Sequence, residues 1–149
     1  MGRDAPPTLR GFKGGNLWGV IEKLDYIKEL GFNALYFCPI FSSTANHRYH
    51  TCDYFQVDPM LGGNAALARL VDEAHGRGIR IILDGGFNHC GRAHFAFQHV
   101  MENDAASHYF DWFHIYKFPL YAYSKHPNYA AWWNNPELPK FNAANPECR

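Results

Sequence analysis

The 149-residue chain has no excess charge of either sign: 14 Lys and Arg balance 14 Asp and Glu, for a formal net charge of zero. This removes the electrostatic footprint by which a nucleic-acid or anionic-membrane binder draws its partner, so neither is expected and the partner should be uncharged. Long apolar runs are also missing. The longest, residues 34–41, falls well short of the roughly 20 residues that cross a bilayer and reads instead as a buried strand. The opening dozen residues are polar and contain Pro6 and Pro7, without the apolar stretch of a secretory signal, so a soluble, cytoplasmic protein is expected. No CxxC pair occurs among Cys38, Cys52, Cys90 and Cys148, which points to free thiols.

What is plentiful is apolar and aromatic. A hydrophobic content of 47% suffices for a real core and argues against wholesale disorder. Aromatic residues reach 17% and crowd the second half, where Trp112, Trp132 and Trp133 stand. Flat apolar rings suit the apolar faces of sugars, and they also fill cores; composition does not separate the two.

Periodicity supplies the fold class. Leu17, Val20, Ile21, Leu24, Ile27 and Leu30 recur at three- and four-residue steps, predicting one helix that Gly31 ends. Residues 33–39 form a near-continuous apolar run, as in a strand covered on both faces within a parallel sheet. Asn64 is expected to cap a second helix with Leu67, Leu70, Val71 and Ala74 inward, and residues 79–83 read as the next strand. Strand, crossover helix and strand make one βαβ unit of an α/β protein. Two long excursions leave the strand ends: residues 41–63, and the aperiodic stretch beyond Asp84, with short helices expected near 95–102 and 105–112. Ordinary βα connections take about 2 to 6 residues, and longer ones at the carboxyl ends of parallel strands commonly roof a site.

Two polar clusters fall at those strand ends. The first holds Asn46, His47, Arg48, Tyr49, His50 and Asp53, and the second holds Asp84, Asn88 and His89. Imidazoles, an amide and carboxylates beside aromatic rings are equipment for hydrogen-bonding hydroxyls. An alternative is purely structural: Asp84 braces the next turn and His89 satisfies a backbone carbonyl.

The string Leu83-Asp84-Gly85-Gly86-Phe87-Asn88-His89 resembles the first conserved region of the α-amylase family, glycoside hydrolase family 13. Gly14-Gly15-Asn16-Leu17-Trp18-Gly19-Val20 is similar to its entry into the first helix, and residues 46–54 are similar to its loop after the second barrel strand. Leu138-Pro139-Lys140-Phe141-Asn142 resembles the short fifth region, in the form seen in neopullulanases, cyclomaltodextrinases and maltogenic amylases. The resemblance implies part of a TIM-type (β/α) barrel over residues 1–88, followed by an irregular inserted domain over 89–149. Two departures stand out: His50 replaces the family's usual Asp, and Gly85-Gly86 replaces a small-plus-β-branched pair, which should loosen the site loop.

By the same resemblance the substrate is an α-glucan or maltooligosaccharide with α-1,4, or also α-1,6, bonds, as in maltodextrin, cyclodextrin or pullulan. Tyr49 would stack on the glucose next to the scissile bond, and His89 would donate to a hydroxyl of that ring as it distorts toward the transition state. Asp84 would brace an Arg further along the family's sequence. Asn88 would hold the loop, with calcium at the matching Asn of some members, and Trp132 and Trp133 would line outer subsites. Tyr49, Asp84 and His89 are expected to converge on one hexose. A retaining glycosidase also needs a nucleophile and an acid/base; the resemblance places both beyond Arg149, so the chain reads as a fragment that is inactive alone. Full-length relatives often form homodimers. Three other readings remain: a non-catalytic saccharide-binding protein, a truncated gene product without a role of its own, and a zinc protein using His89, Cys90, His94 and His99.

Overall fold

The computed structural model describes residues 6, 8 and 11–148. The apolar face predicted as one helix forms two: α1 (Leu17–Ile21) and α2 (Leu24–Glu29). Asn16 caps α1, its side-chain oxygen accepting from the Gly19 N–H at 3.0 Å. The ladder then slips, because the Lys23 N–H bonds the Val20 carbonyl three residues back rather than four. Each half keeps a buried anchor, Leu17 or Leu24, so the change of direction costs no core contact.

The predicted βαβ unit is present. Strand β1 (Ala34–Phe37) pairs in parallel with β4 (Arg80–Leu83), Ala34 opposite Arg80 and Phe37 opposite Leu83, and α3 (Gly63–Gly76) connects them. Asn64 is not the cap of α3. Gly62 takes that position in a left-handed conformation, φ 108°, where an added Cβ would lie 2.6 Å from the Ala66 Cβ. Asn64 sits within the first turn and grips the preceding strand: its Oδ1 accepts from the Val57 N–H at 2.8 Å and its Nδ2 donates to the Phe55 carbonyl at 3.1 Å.

The excursion over 41–63 has structure of its own. Strands β2 (Phe41–Ser43) and β3 (Thr51–Val57) pair as a second small sheet, and a 3-10 turn over Pro59–Leu61 is capped by Asp58. The chain divides into two compact units. The first comprises residues 1–48 and 54–85, and its core gathers Leu17, Leu24, Ile40, Val57, Ala66, Leu70, Ala74 and Ile79.

The second unit comprises residues 49–53 and 86–149. Helix α4 (Phe95–Asn103) buries Ala96, Phe97 and Val100. Phe97 meets Phe113 and Tyr129 edge-on, with centroids 5.1 and 5.0 Å away, and the Tyr129 hydroxyl donates to the Pro136 carbonyl at 2.7 Å. The helix predicted over 105–112 is replaced by two 3-10 turns, Asp104–Ala106 and Phe110–Trp112. Asp104 has φ 48°, and the Ser107 hydroxyl accepts from the Tyr109 N–H at 3.1 Å, offering the backbone a turn in place of a helical bond. Isolated antiparallel bridges, including His89 with Lys140 and Phe113 with Phe141, hold the rest. All four cysteines are free thiols. Among the described residues no helix is long and apolar enough to cross a membrane.

Candidate functional site

Tyr49 and His89 come together in the second unit, though 40 positions separate them in the sequence. Tyr49 is 40% exposed. Burial pushes the His89 imidazole below its ordinary range, and a hydrogen bond to the Tyr49 main chain draws it partly back. Asn88 Nδ2 lies 3.1 Å from His89 Nδ1. An amide nitrogen only donates, so Nδ1 accepts and the ring proton sits on Nε2. The site therefore offers a neutral imidazole with one N–H beside the main chain of a part-exposed tyrosine. Here the structural alternative is partly realised, since His89 does bond the backbone of Tyr49.

The segment carrying Tyr49 is clasped from the other side. The Gly91 N–H donates to the Thr51 carbonyl at 2.7 Å, and Gly91 approaches the His50 backbone more closely than a side chain would permit. His50 lies 3.7 Å from Glu137, which is also 3.7 Å from Arg92. Arg92 donates to the Ala122 carbonyl at 2.6 Å and lies over the Tyr123 ring at 4.1 Å. None of Gly91, Arg92 or Glu137 stood out in the sequence. Their role depends on contacts between segments far apart in the sequence, and no local period records such contacts. Gly86 runs beside Tyr49, where an added Cβ would lie 3.9 Å from the ring, an ordinary contact.

The aromatic residues of this unit sort into two kinds. Trp112 is part-buried and meets Phe95 and Tyr109 edge-on, with centroids 6.2 and 5.0 Å away. Trp132 and Trp133 are exposed, 43% and 85%, and stack on each other with centroids 4.5 Å apart and planes within 6°. Trp132 is also 5.7 Å from the His89 ring.

Asp84 belongs to the first unit, directly after β4. Its N–H bonds the Phe37 carbonyl at 3.0 Å, and its carboxylate accepts from the Tyr36 hydroxyl, which holds that hydroxyl above the usual tyrosine pKa. Tyr36 was legible only as a lone hydroxyl within an apolar strand. In the same unit Arg48, in a left-handed conformation with φ 63°, sits buried with Nε 3.0 Å from Asp58 and NH1 2.8 Å from the Asn46 carbonyl. Asn46 Nδ2 donates to the Gly11 carbonyl at 3.2 Å, so this ladder fixes the chain up to the residue before Tyr49.

Calcium takes 6 to 8 oxygen ligands, zinc about four N or S ligands. Among the described residues no group of three or more His, Cys, Asp or Glu side chains is placed to hold a metal ion. His94, one of the four residues of the zinc reading, caps α4 by accepting from the Ala96 N–H at 3.3 Å, and Cys90 is buried with its thiol pushed well above its ordinary pKa.

Comparison with known proteins matches residues 4–149 to the family described as alpha amylase, catalytic domain. A cyclomaltodextrinase of Geobacillus thermopakistaniensis is 47% identical over 143 residues, covering 96% of this chain and 24% of that enzyme. Among solved structures, the protein Ttha1563 from Thermus thermophilus is similar with a TM-score of 0.94 and 64% identity, over 97% of this chain and 31% of that one. The ligand-free cyclic α-maltosyl-(1→6)-maltose hydrolase from Arthrobacter globiformis gives a TM-score of 0.94 and 46% identity, over 99% and 34%. The chain thus spans about a quarter of the length of the curated relative it matches.

Proposed function

Because this chain belongs to the α-amylase catalytic-domain family over residues 4–149, we propose that it is the sugar-holding part of a retaining α-glucan hydrolase built on a (β/α) barrel. Its first unit supplies two parallel strands and the crossover helix of such a barrel; its second is the domain inserted after the third barrel strand. The substrate is a maltodextrin or cyclodextrin with α-1,4 bonds, and α-1,6 bonds are a further target. The names of the similar cyclomaltodextrinase and maltosyl-(1→6)-maltose hydrolase support that choice.

The observation that carries the reading is the pairing of the part-exposed Tyr49 with the neutral, part-buried His89 in one unit. Tyr49 stacks on the apolar face of a glucose ring. His89 donates Nε2–H to a hydroxyl of that ring, which shares or displaces the Tyr49 main chain as its partner. Asn88 sets the tautomer that makes this donation available. Asp84, held by Tyr36, braces an Arg supplied by the remainder of the catalytic domain. Trp132 and Trp133 extend the aromatic surface outward from His89.

The nucleophile and acid/base are not assigned to any residue of this chain, and the purified 149-residue protein is expected to turn over no starch, cyclodextrin or pullulan. Calorimetric titration with maltotriose tests the sugar site. The wild-type chain should release heat on binding, and Tyr49→Ala should weaken it at least tenfold, the loss of about 1.4 kcal/mol. A flat wild-type trace at millimolar sugar would sink the reading.

A further inference from the structure

Shortly after His99 on α4 the chain returns to the same place. Asp104 ends the helix with φ 48°, and the 3-10 turn over Asp104–Ala106 reverses the backbone, the Ser107 N–H donating to the Asp104 carbonyl at 3.2 Å. His108 is thereby set beside His99, with ring centroids 6.1 Å apart and planes 31° from parallel.

The two imidazoles are held differently. His99 is part-buried and fixed: its Nδ1 lies 2.8 Å from Ser107 Oγ, and the Tyr109 ring meets it edge-on with centroids 5.3 Å apart. Ser107 is itself buried, 5% exposed, and its hydroxyl oxygen accepts from the Tyr109 N–H at 3.1 Å. A second lone pair on that oxygen remains for the His99 Nδ1 proton, which leaves the Nε2 lone pair uncommitted. His108 is exposed, and among the described residues neither of its ring nitrogens makes a hydrogen bond. A ligating histidine characteristically donates its other ring N–H to a fixed acceptor, the arrangement that Ser107 gives His99. The surroundings are negative. Glu102 in the last turn of α4 and Asp104 at its C-cap are exposed carboxylates, and the unsatisfied carbonyls of the helix end add to them, so a cation is favoured here.

We propose that His99 and His108 bind one divalent transition-metal ion through their imidazole nitrogens, with water completing its shell, and that the ion staples the last turns of α4 to the segment after it. Imidazole and water suit nickel, copper or zinc, whereas magnesium and calcium need oxygen donors. With each nitrogen about 2.0–2.1 Å from the ion, two rings at a right or tetrahedral angle have centroids about 4.5–5.2 Å apart. The exposed His108 closes the remaining distance of roughly 1 Å by turning about its side-chain torsions, while Ser107 and Tyr109 keep His99 in place. This pair differs from the set His89, Cys90, His94 and His99 raised by the sequence, because the partner of His99 is the residue that the turn brings back to it. The inference stands independently of the sugar-binding reading, in which neither His99 nor His108 takes part.

Calorimetric titration of the full chain with Ni2+ tests the pair, since Ni2+ binds imidazole without oxidising the free thiols. Wild type should take up the ion, and Mg2+ should give no heat. His108→Asn, a change at an exposed side chain, should weaken Ni2+ binding at least tenfold. Ni2+ should also raise the urea midpoint of wild type and leave that of His108→Asn where it was. His126→Asn removes another exposed histidine of the same unit and should bind as wild type does. The proposal is overturned if wild type takes up no Ni2+, if His108→Asn binds it as tightly as wild type, or if His126→Asn weakens binding as much as His108→Asn.

Discussion

A methyl group placed on the α-carbon of Gly91 would lie 2.4 Å from the main-chain oxygen of His50 and 2.7 Å from its carbonyl carbon. Both neighbours are backbone, so neither can swing aside. Gly91→Ala should therefore force the Tyr49–Thr51 segment away from its clasp and cost about 1–3 kcal/mol. The shift should show as a lower urea midpoint and a loss of maltotriose affinity together. An unchanged midpoint would mean that the clasp yields easily.

Gly86 predicts the opposite sign. Its φ is not left-handed, and an added Cβ would make an ordinary 3.9 Å contact with the Tyr49 ring. Gly86→Ala should stabilise the protein by about 0.4–1 kcal/mol, chiefly by narrowing the unfolded ensemble. Thermal melts decide the matter, and a lower midpoint would count against the described backbone.

His94 makes the second unit acid-sensitive. Burial pushes its imidazole down to about 4 from the ordinary 6.5, against the opposing attraction of Asp53 for the charged form. The unfolded chain then binds the proton more readily than the native one. Stability contributed by the neutral ring is complete above about pH 6.5 and is lost as pH falls toward about 4, by on the order of 3 kcal/mol over the window. His94→Asn keeps a capping side chain without the titration. Urea midpoints measured between pH 7 and 4.5 should fall less steeply in the variant than in wild type.

Asp58 is the partner whose loss should be most costly in the first unit. Its Oδ2 pairs with the buried Arg48 at 3.0 Å while its Oδ1 accepts from the Met60 N–H at 2.9 Å. Asp58→Ala leaves a guanidinium without its carboxylate and should cost about 3–5 kcal/mol in denaturant unfolding. Adding Arg48→Met should recover part of that loss. A double variant no more stable than Asp58→Ala would show that the turn cap, not the charge, carries the effect.

The sequence exposed what repeats locally and hid what closes at long range. The βαβ unit was legible because Leu67, Leu70, Val71 and Ala74 keep helical spacing and the two strands are continuous apolar runs. The break between α1 and α2 was not, since Val20, Ile21 and Leu24 satisfy the period whether or not the ladder slips at Lys23. Asn64 looked like a cap because its residue type fits one, yet the left-handed Gly62 took the position and freed the amide for β3. At the site, Tyr49, Asn88 and His89 were found through motif resemblance. The contacts of His89 with Asn88 and with the Tyr49 main chain follow from the fold and were not readable from composition. Arg92, Glu137 and Gly91 carried no such mark, because what they do is join segments far apart in the chain.

Residues 49–53 belong to the second unit although both of their flanks belong to the first. The polypeptide accordingly passes between the units at three places, and the second unit is no self-contained module along the gene. A transplant starting at Gly86 would leave behind Tyr49, along with the Thr51 carbonyl that receives the Gly91 N–H. Grafting this half onto another scaffold would require carrying the pentapeptide across with it.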